Sequence, residues 1–269
     1  MIFYTDLKNT EIAGDALQNK RYARIAYQTL DGTITSSGDA AGYQASNVQV
    51  EATYNKWIAD ANTASIELDM GSPVGVDSIS LNSAKLDGTY TFEYWNGAAW
   101  VVIDGQADLV LTTNEPLLYN FVSVVTDKIK ITITSTAPPE IINLYVGKVL
   151  VMQRAIYGGH TPITLGRDTV NRPVMSAGGQ MLGSSMIRKG VSTSFNWENL
   201  TADWYRSTFD PFANEARGAK PFFIAWNSEK FPLEIGYGWT NEDLRPSNTG
   251  GGTDFMTVSM NVNGVDYRE

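Results

Sequence analysis

The chain has 269 residues, 43% of them hydrophobic and 24 of them glycine, with no cysteine and a single histidine, His160. That length allows one large or two ordinary domains, and the missing cysteine removes disulfides, thiolate zinc sites and thiol nucleophiles together. With 20 basic and 29 acidic residues the net charge is −9, which disfavours nucleic acid as a partner. The opening MIFYTDLKNTE lacks a basic region followed by an apolar core, and no stretch approaches the roughly 20 apolar residues of a membrane span. Neither an export signal nor membrane insertion is therefore expected. The first half alternates apolar and polar residues in short runs: Ile66, Leu68 and Met70; Ile79 and Leu81; Tyr90, Phe92 and Tyr94; Ile129, Ile131 and Ile133. A period of two marks strands with one buried face, and several such runs without a helical period predict an antiparallel jelly-roll β-sandwich. Asn96-Gly97, between YTFEYW and AAWVVI, predicts a tight type I′ hairpin flanked by Trp95 and Trp100.

Ala137-Pro138-Pro139-Glu140 breaks the β pattern, and the seam between two modules is expected between Gly147 and Tyr157, giving residues 1–150 and 151–269. The halves differ in charge: residues 1–150 carry 9 Lys/Arg against 17 Asp/Glu, a net of −8, and residues 151–269 carry 11 against 12, a net of −1. No flexible linker separates them, so docked modules are expected. Tyr157–Lys189 reads as a long loop arm, broken at Gly158-Gly159, Arg172-Pro173 and Gly178-Gly179; loops of that length are usually functional or ordered by a partner. VSTSFNW then alternates as a strand through Val191, Thr193, Phe195 and Trp197. Thr201 is placed to cap a helix, with Leu200 and Tyr205 as a hydrophobic staple and Asp203 in the first turn. Asp210-Pro211 opens a second helix and Gly218 is placed to end it. Three strands follow: PFFIAW; PLEIGYGW, with Leu233, Ile235, Tyr237 and Trp239 on one face; and DFMTVSMNV, with Met256, Val258, Met260 and Val262 on one face. The predicted fold class is all-β, a jelly-roll sandwich followed by a second β-sandwich or partial barrel with short helical insertions.

Candidate chemistry is sparse. His160, in YGGHTP, has no second histidine or cysteine to complete a metal or nucleophile set. A glycosidase needs only two carboxylates at the right separation, but no spacing singles out a pair, and Glu67 and Asp69 read as solvated strand positions. Gly178-Gly179 and Gly250-Gly251-Gly252 match no phosphate-loop pattern and read as flexible loops. Asp60, Asn62, Asp69 and Asp77 are candidate calcium ligands, with surface strand ends as the alternative. Tyr54, Trp57, Trp95 and Trp100 are the candidate sugar-stacking aromatics, with core or cross-strand packing as the alternative. Phe195, Trp197, Trp204, Phe212, Phe222, Trp226 and Trp239 crowd one segment without catalytic residues among them, which points to core or assembly contacts. No catalytic residue and no cofactor is expected.

Two resemblances add to this reading. WIADANTASIELDMGSPVGVDSISL (Trp57–Leu81), YTFEYWNGAAW (Tyr90–Trp100) and KIKITITS (Lys128–Ser135) together resemble the galactose-binding-like, or discoidin-like, β-sandwich. That resemblance implies a jelly roll able to take a glycan; family members often carry a closing disulfide, which this chain lacks. RKGVSTSFNWENLTADWYRSTFDPFANEARGAKPFFIAWNSEKFPLEIGYGWTNEDLRP with DFMTVSMNVNG resembles the ring-forming domain of tailed-phage distal tail proteins. It implies a non-enzymatic structural protein of a tail tip or baseplate, made in the bacterial cytoplasm and incorporated in the virion. Its partners would be itself, as a trimer or hexamer, the neighbouring tail proteins and a host-surface glycan. In that family the ring domain comes first, whereas here the carbohydrate-module-like sandwich leads. The competing expectation is a carbohydrate-binding or adhesin-like protein whose second module is only a scaffold.

Overall fold

The computed structural model describes residues 2–4, 20–83, 86–105, 108–113, 116–249 and 254–266. Gly250-Gly251-Gly252 lies outside the described residues. Before Lys148 the strands are β1 (Ile2–Tyr4), β2 (Arg24–Ala26), β3 (Thr33–Ser36), β4 (Trp57–Ile58), β5 (Thr63–Asn82), β6 (Leu86–Trp95), β7 (Trp100–Val102), β8 (Leu109–Thr113), β9 (Leu117–Thr134), β10 (Glu140–Ile141) and β11 (Asn143–Gly147). After it come β12 (Val149–Val151), β13 (Val170–Met175), β14 (Met181–Arg188), β15 (Val191–Thr201), β16 (Phe222–Ala225), β17 (Ile235–Trp239), β18 (Ser247–Asn248) and β19 (Phe255–Gly264). The chain is all-β with short helical insertions, built as a sandwich and a half-barrel sheet.

An eight-stranded sheet in the order β11-β5-β9-β6-β7 takes β3 on β5, β1 on β9 and β8 on β6. Its two long strands make it a sandwich. The first part of β5 pairs with β3 and the last part of β9, whereas its second part pairs with β11 and the start of β9. Register shifts between Asp69 and Val74 and between Val76 and Ser78 separate these parts, and Gly71, at φ +70°, lies in the first of them. The period-two runs fall in phase: Ile66, Leu68, Ile79, Leu81, Tyr90, Phe92, Ile129, Ile131 and Ile133 are buried in one core, with Met70 and Tyr94 packed partly against it. Glu67, Glu93 and Lys130 alternate with them to the outer face, where Lys130 bonds Glu93 at 2.7 Å. The Asn96-Gly97 turn differs from expectation. Trp95 pairs with Trp100 across a four-residue loop in which Asn96 Oδ1 accepts from the N–H groups of Ala98 and Ala99. That side-chain turn lets Asn96 keep an ordinary φ, and Gly97 alone takes a positive one, +93°.

The second sheet has seven strands in the order β12-β2-β16-β17-β19-β15, with β18 on β19. Arg24–Ala26 thus pairs with Phe223–Ala225 on one side and Val149–Val151 on the other, although it lies within residues 1–150. The second module consequently takes a strand from the first half of the chain. Every residue of β16 is buried, because alternate side chains meet different layers. Phe222 and Ile224 face a core shared with Phe195, Trp197, Val258, Met260 and Val262, while Phe223 and Ala225 face the sandwich. The first core is closed by α1 (Ala202–Trp204), a π-helical turn (Tyr205–Phe209) and α2 (Asp210–Glu215), which follow one another directly and bury Tyr205, Phe209 and Phe212. Pro211 stands in the first turn of α2, as expected, although α2 follows the π-helical turn without a break. Thr201 occupies the cap position but makes no side-chain cap bond; its hydroxyl accepts from Gln153 Nε2 at 2.9 Å. Leu233, expected on the buried face of PLEIGYGW, precedes β17 and is 49% exposed.

The two modules meet on a seam of Ala26, Leu118, Tyr145, Phe223, Ala225, Ile235 and Tyr237. Tyr145 packs edge-on against Phe223, with centroids 5.2 Å apart, and donates to the Pro221 carbonyl at 3.0 Å. Tyr237 donates to the Glu51 carbonyl at 3.0 Å, and the buried Arg24 donates from Nε to Asn120 Oδ1 at 3.3 Å.

The expected loop arm 157–189 is ordered as two parts. Its first part lies along β15, with Tyr157 N–H donating to Asn196 O and Ser192 N–H to Gly166 O. Its second part is a β13–β14 hairpin turning through 176–180, where Gly179 takes φ +79°, and every residue of both strands is exposed.

Candidate functional site

The four candidate sugar-stacking aromatics do not converge. Trp57 is fully buried: β4 pairs with β10 over the sandwich core, and the indole N–H donates to Asp39 Oδ1 at 2.9 Å. It is a core residue, because the short β4–β10 pair covers the end of the sandwich instead of leaving a loop there. Trp95 and Trp100 pack edge-on across their hairpin at 5.4 Å, both half-buried, and the Lys130 ammonium lies 4.4 Å from the Trp100 ring. Tyr54, at 83% exposure, is the one candidate whose ring is open to solvent.

The candidate calcium ligands are also dispersed. Asp69 pairs with Lys128 at 2.7 Å, and that contact, with the Gly71 N–H, holds its carboxyl below the usual carboxylate range. Asp77 accepts from the Val149 N–H at 2.8 Å where the chain crosses to the second sheet. Eight residues of extended β5 at roughly 3.3 Å each keep these two carboxylates far apart. Asn62 spends its amide on the Thr136 carbonyl, and among the described residues no group of three or more His, Asp or Glu side chains could hold a metal.

A cleft of about 280 Å³ opens at the end of the sandwich. Asp87, at the start of β6, and Glu140, at the start of β10, line it together with Tyr90 and the 135–139 loop. That loop is fixed from one side: Ser135 N–H donates to Asn62 O, Ala59 N–H to Pro139 O, and Lys56 pairs with Glu140 at 2.7 Å. Gly88 permits the close approach of β6, since a Cβ there would lie 2.6 Å from the Thr134 carbonyl oxygen. The Tyr90 ring is buried beneath the cleft, and burial pushes its hydroxyl pKa well up, with Asp87 adding to the shift. Lys56 also lies 5.9 Å from the exposed Tyr43 ring, which puts Tyr43 near Glu140, and the exposed Tyr54 is two residues from Lys56 in the chain. No local pattern joins Asp87 to Glu140: they are 53 residues apart and come to line one cleft when β9 returns beside β6.

In the second module Phe195, Trp197, Phe212 and Phe222 form the core, Trp204 and Trp226 pack partly against it, and Trp239 is half-buried on β17. Trp226 donates from Nε1 to Glu234 Oε2 at 2.5 Å and meets His160 edge-on at 4.5 Å. His160 also lies 5.4 Å from the Phe195 ring, and neither of its ring nitrogens finds a hydrogen-bond partner among the described residues. Burial depresses its pKa, against a smaller opposing pull from Glu234. His160 is thus packed between the Phe195 and Trp226 rings.

No family model and no curated protein matches the chain. Among solved structures it is similar to chitosan-binding module 1 of a chitosanase/glucanase from Paenibacillus sp. IK-5, at 18% identity over 45% of this chain and 97% of that one, with a TM-score of 0.40. It is similar to a pectin-binding carbohydrate-binding module at 14% identity, over 45% of this chain and 93% of that one, with a TM-score of 0.39. A carbohydrate-binding module from Clostridium perfringens, in complex with GalNAc-β-1,3-galactose, matches at 13% identity over 43% of this chain and 94% of that one, with a TM-score of 0.39.

Proposed function

We propose that the chain is a non-enzymatic carbohydrate-binding protein whose sandwich takes the ligand and whose second module is the scaffold. The observation that carries this reading is the cleft at the end of the sandwich. Asp87 and Glu140 offer carboxylate acceptors to sugar hydroxyls, Pro138 and Pro139 supply apolar surface, and the exposed Tyr43 ring lies beside Lys56, the partner of Glu140, with the exposed Tyr54 two residues from Lys56 in the chain, for a sugar face to pack on. The galactose-binding-like pattern of Trp57–Leu81 and Tyr90–Trp100 supports it. Glu140 is committed to Lys56, so the cleft is read as a place to hold hydroxyls and not as a catalytic carboxylate pair. A glycan array with the full chain, followed by calorimetry on the hits, tests it. Tyr54→Ala and Asp87→Asn should each weaken binding by about tenfold or more, about 1.4 kcal/mol. No binding across a broad array, or binding indifferent to both changes, would sink the reading.

A second reading is favoured by the exposed β13–β14 hairpin. In it the chain is a structural protein of a phage tail tip or baseplate, made in the bacterial cytoplasm, assembled with itself as a trimer or hexamer and displaying the sandwich outward. The order of β15, helical run, β16, β17 and β19, together with the resemblance carried by residues 188–264, supports it. Labelled protein imaged against assembled tails tests this reading, and tails that never carry the label would remove it.

A further inference from the structure

Among the described residues, the β13–β14 hairpin is held to its own molecule at its root, where Arg188 pairs with Asp168 at 2.6 Å and Asp168 N–H donates to Gly190 O. Beyond the root, Val174, Met175, Met181, Leu182, Met186 and Ile187 are each 51–66% exposed. Sequence neighbours such as Met181 and Leu182, or Met186 and Ile187, point to opposite faces of a strand, so apolar side chains stand on both faces of the hairpin. A two-stranded hairpin alone in water is marginally stable, and an apolar one without a supporting layer is the kind of surface a partner covers. Charge identifies the partner. The hairpin, residues 170–188, carries Arg172 and Arg188 and no Asp or Glu, a net of +2, while the rest of the chain carries 18 Lys/Arg against 29 Asp/Glu, a net of −11.

We propose that this hairpin is an arm that docks onto the acidic body of a second copy of the chain. Its methionines, Leu182 and Ile187 are covered there, and Arg172 faces the acidic surface. Methionine suits such a contact because its flexible thioether fills irregular gaps. Arm against arm would set like charges together, so the contact runs from the arm of one copy to the body of the next. A heterologous contact of this kind either closes into a ring or continues into a filament. The inference holds for either functional reading, since it does not depend on what the sandwich binds, and loss of glycan binding leaves it intact.

The chain has no native cysteine, so Ser184→Cys in the full-length protein can carry a single benzophenone cross-linker on the hairpin. Mixing ¹⁴N- and ¹⁵N-labelled protein separates cross-links between copies from those within one. The expected result is hairpin-to-body cross-links between copies at acid-rich peptides, lowered several-fold by Arg172→Glu or by raised salt and abolished by the pair Leu182→Ser and Ile187→Ser. Thermal unfolding of each variant verifies that it is folded. No cross-links between copies at high protein concentration, hairpin-to-hairpin cross-links, cross-links indifferent to the serine pair, or transfer only to anionic phosphatidylserine vesicles would each overturn the proposal.

Discussion

β16 and the β13–β14 hairpin belong to one module and are both apolar β segments, yet they meet opposite surroundings. Phe222, Phe223, Ile224 and Ala225 are at most 2% exposed, because β16 has a strand on each side, a helix-capped core on one face and the sandwich on the other. The hairpin has only its own two strands. An apolar run that is covered on both faces is scaffold, and its substitution should be read in stability. One that is uncovered on both faces is a contact surface, and its substitution should be read in association.

The largest effect is expected in the covered region. Phe222 packs edge-on against Phe212 at 5.1 Å, and Phe222→Ala should lower unfolding free energy by about 3–5 kcal/mol in urea titration. A loss below about 1 kcal/mol would mean that the site collapses easily and that the contrast with the hairpin is false. The seam comes next. Tyr145→Phe keeps the ring against Phe223 but removes the donor to the Pro221 carbonyl, and should cost about 1 kcal/mol. If the modules instead unfold in two separate transitions in that variant, the hydroxyl couples them more strongly than one ordinary hydrogen bond.

Third in size is the effect of His160, packed against Phe195 and Trp226. Burial holds the His160 pKa in the folded chain below its unfolded value of about 6.5, so the unfolded chain takes the proton more readily. This contribution to stability is full above about pH 6.5 and is lost as pH falls through that value towards the depressed folded pKa. The melting temperature of the native protein should therefore drop between pH 7 and pH 5, and His160→Phe should drop less. Equal slopes for the two proteins would show that His160 is solvated when folded.

Much of the sandwich was legible because its signal is local. A buried face imposes a period of two, and Tyr90, Phe92, Ile129, Ile131 and Ile133 carry it without interruption. Local signals failed where a contact joins distant segments. Arg24–Ala26 is too short to show a period and gains its identity from pairing with residues some 200 positions later. Trp57 reads as a loop aromatic until β10, over 80 residues away, pairs with its strand and closes it in. Asp87 and Glu140 form one rim only through the return of β9 beside β6. The hairpin reads as loop for the opposite reason: Gly178-Gly179 marks its turn, but Pro173 stands inside β13, and strands without a buried face lose the alternation that identifies them.

The smallest effect on stability is expected where the apolar surface is uncovered, and it divides the two regions most sharply. Leu182 and Ile187, at 66% and 65% exposure, lose little burial on folding of a single copy. The pair Leu182→Ser and Ile187→Ser should therefore change unfolding by no more than about 0.5 kcal/mol per site in dilute protein. Association adds stability by mass action, so the native chain should melt higher as its concentration rises and the variant should not. If the native melting temperature does not move with concentration, the hairpin is merely an exposed ribbon and the contrast with β16 loses its functional meaning. If the variant is strongly destabilised even when dilute, the hairpin contributes to folding of the single copy and belongs with the scaffold.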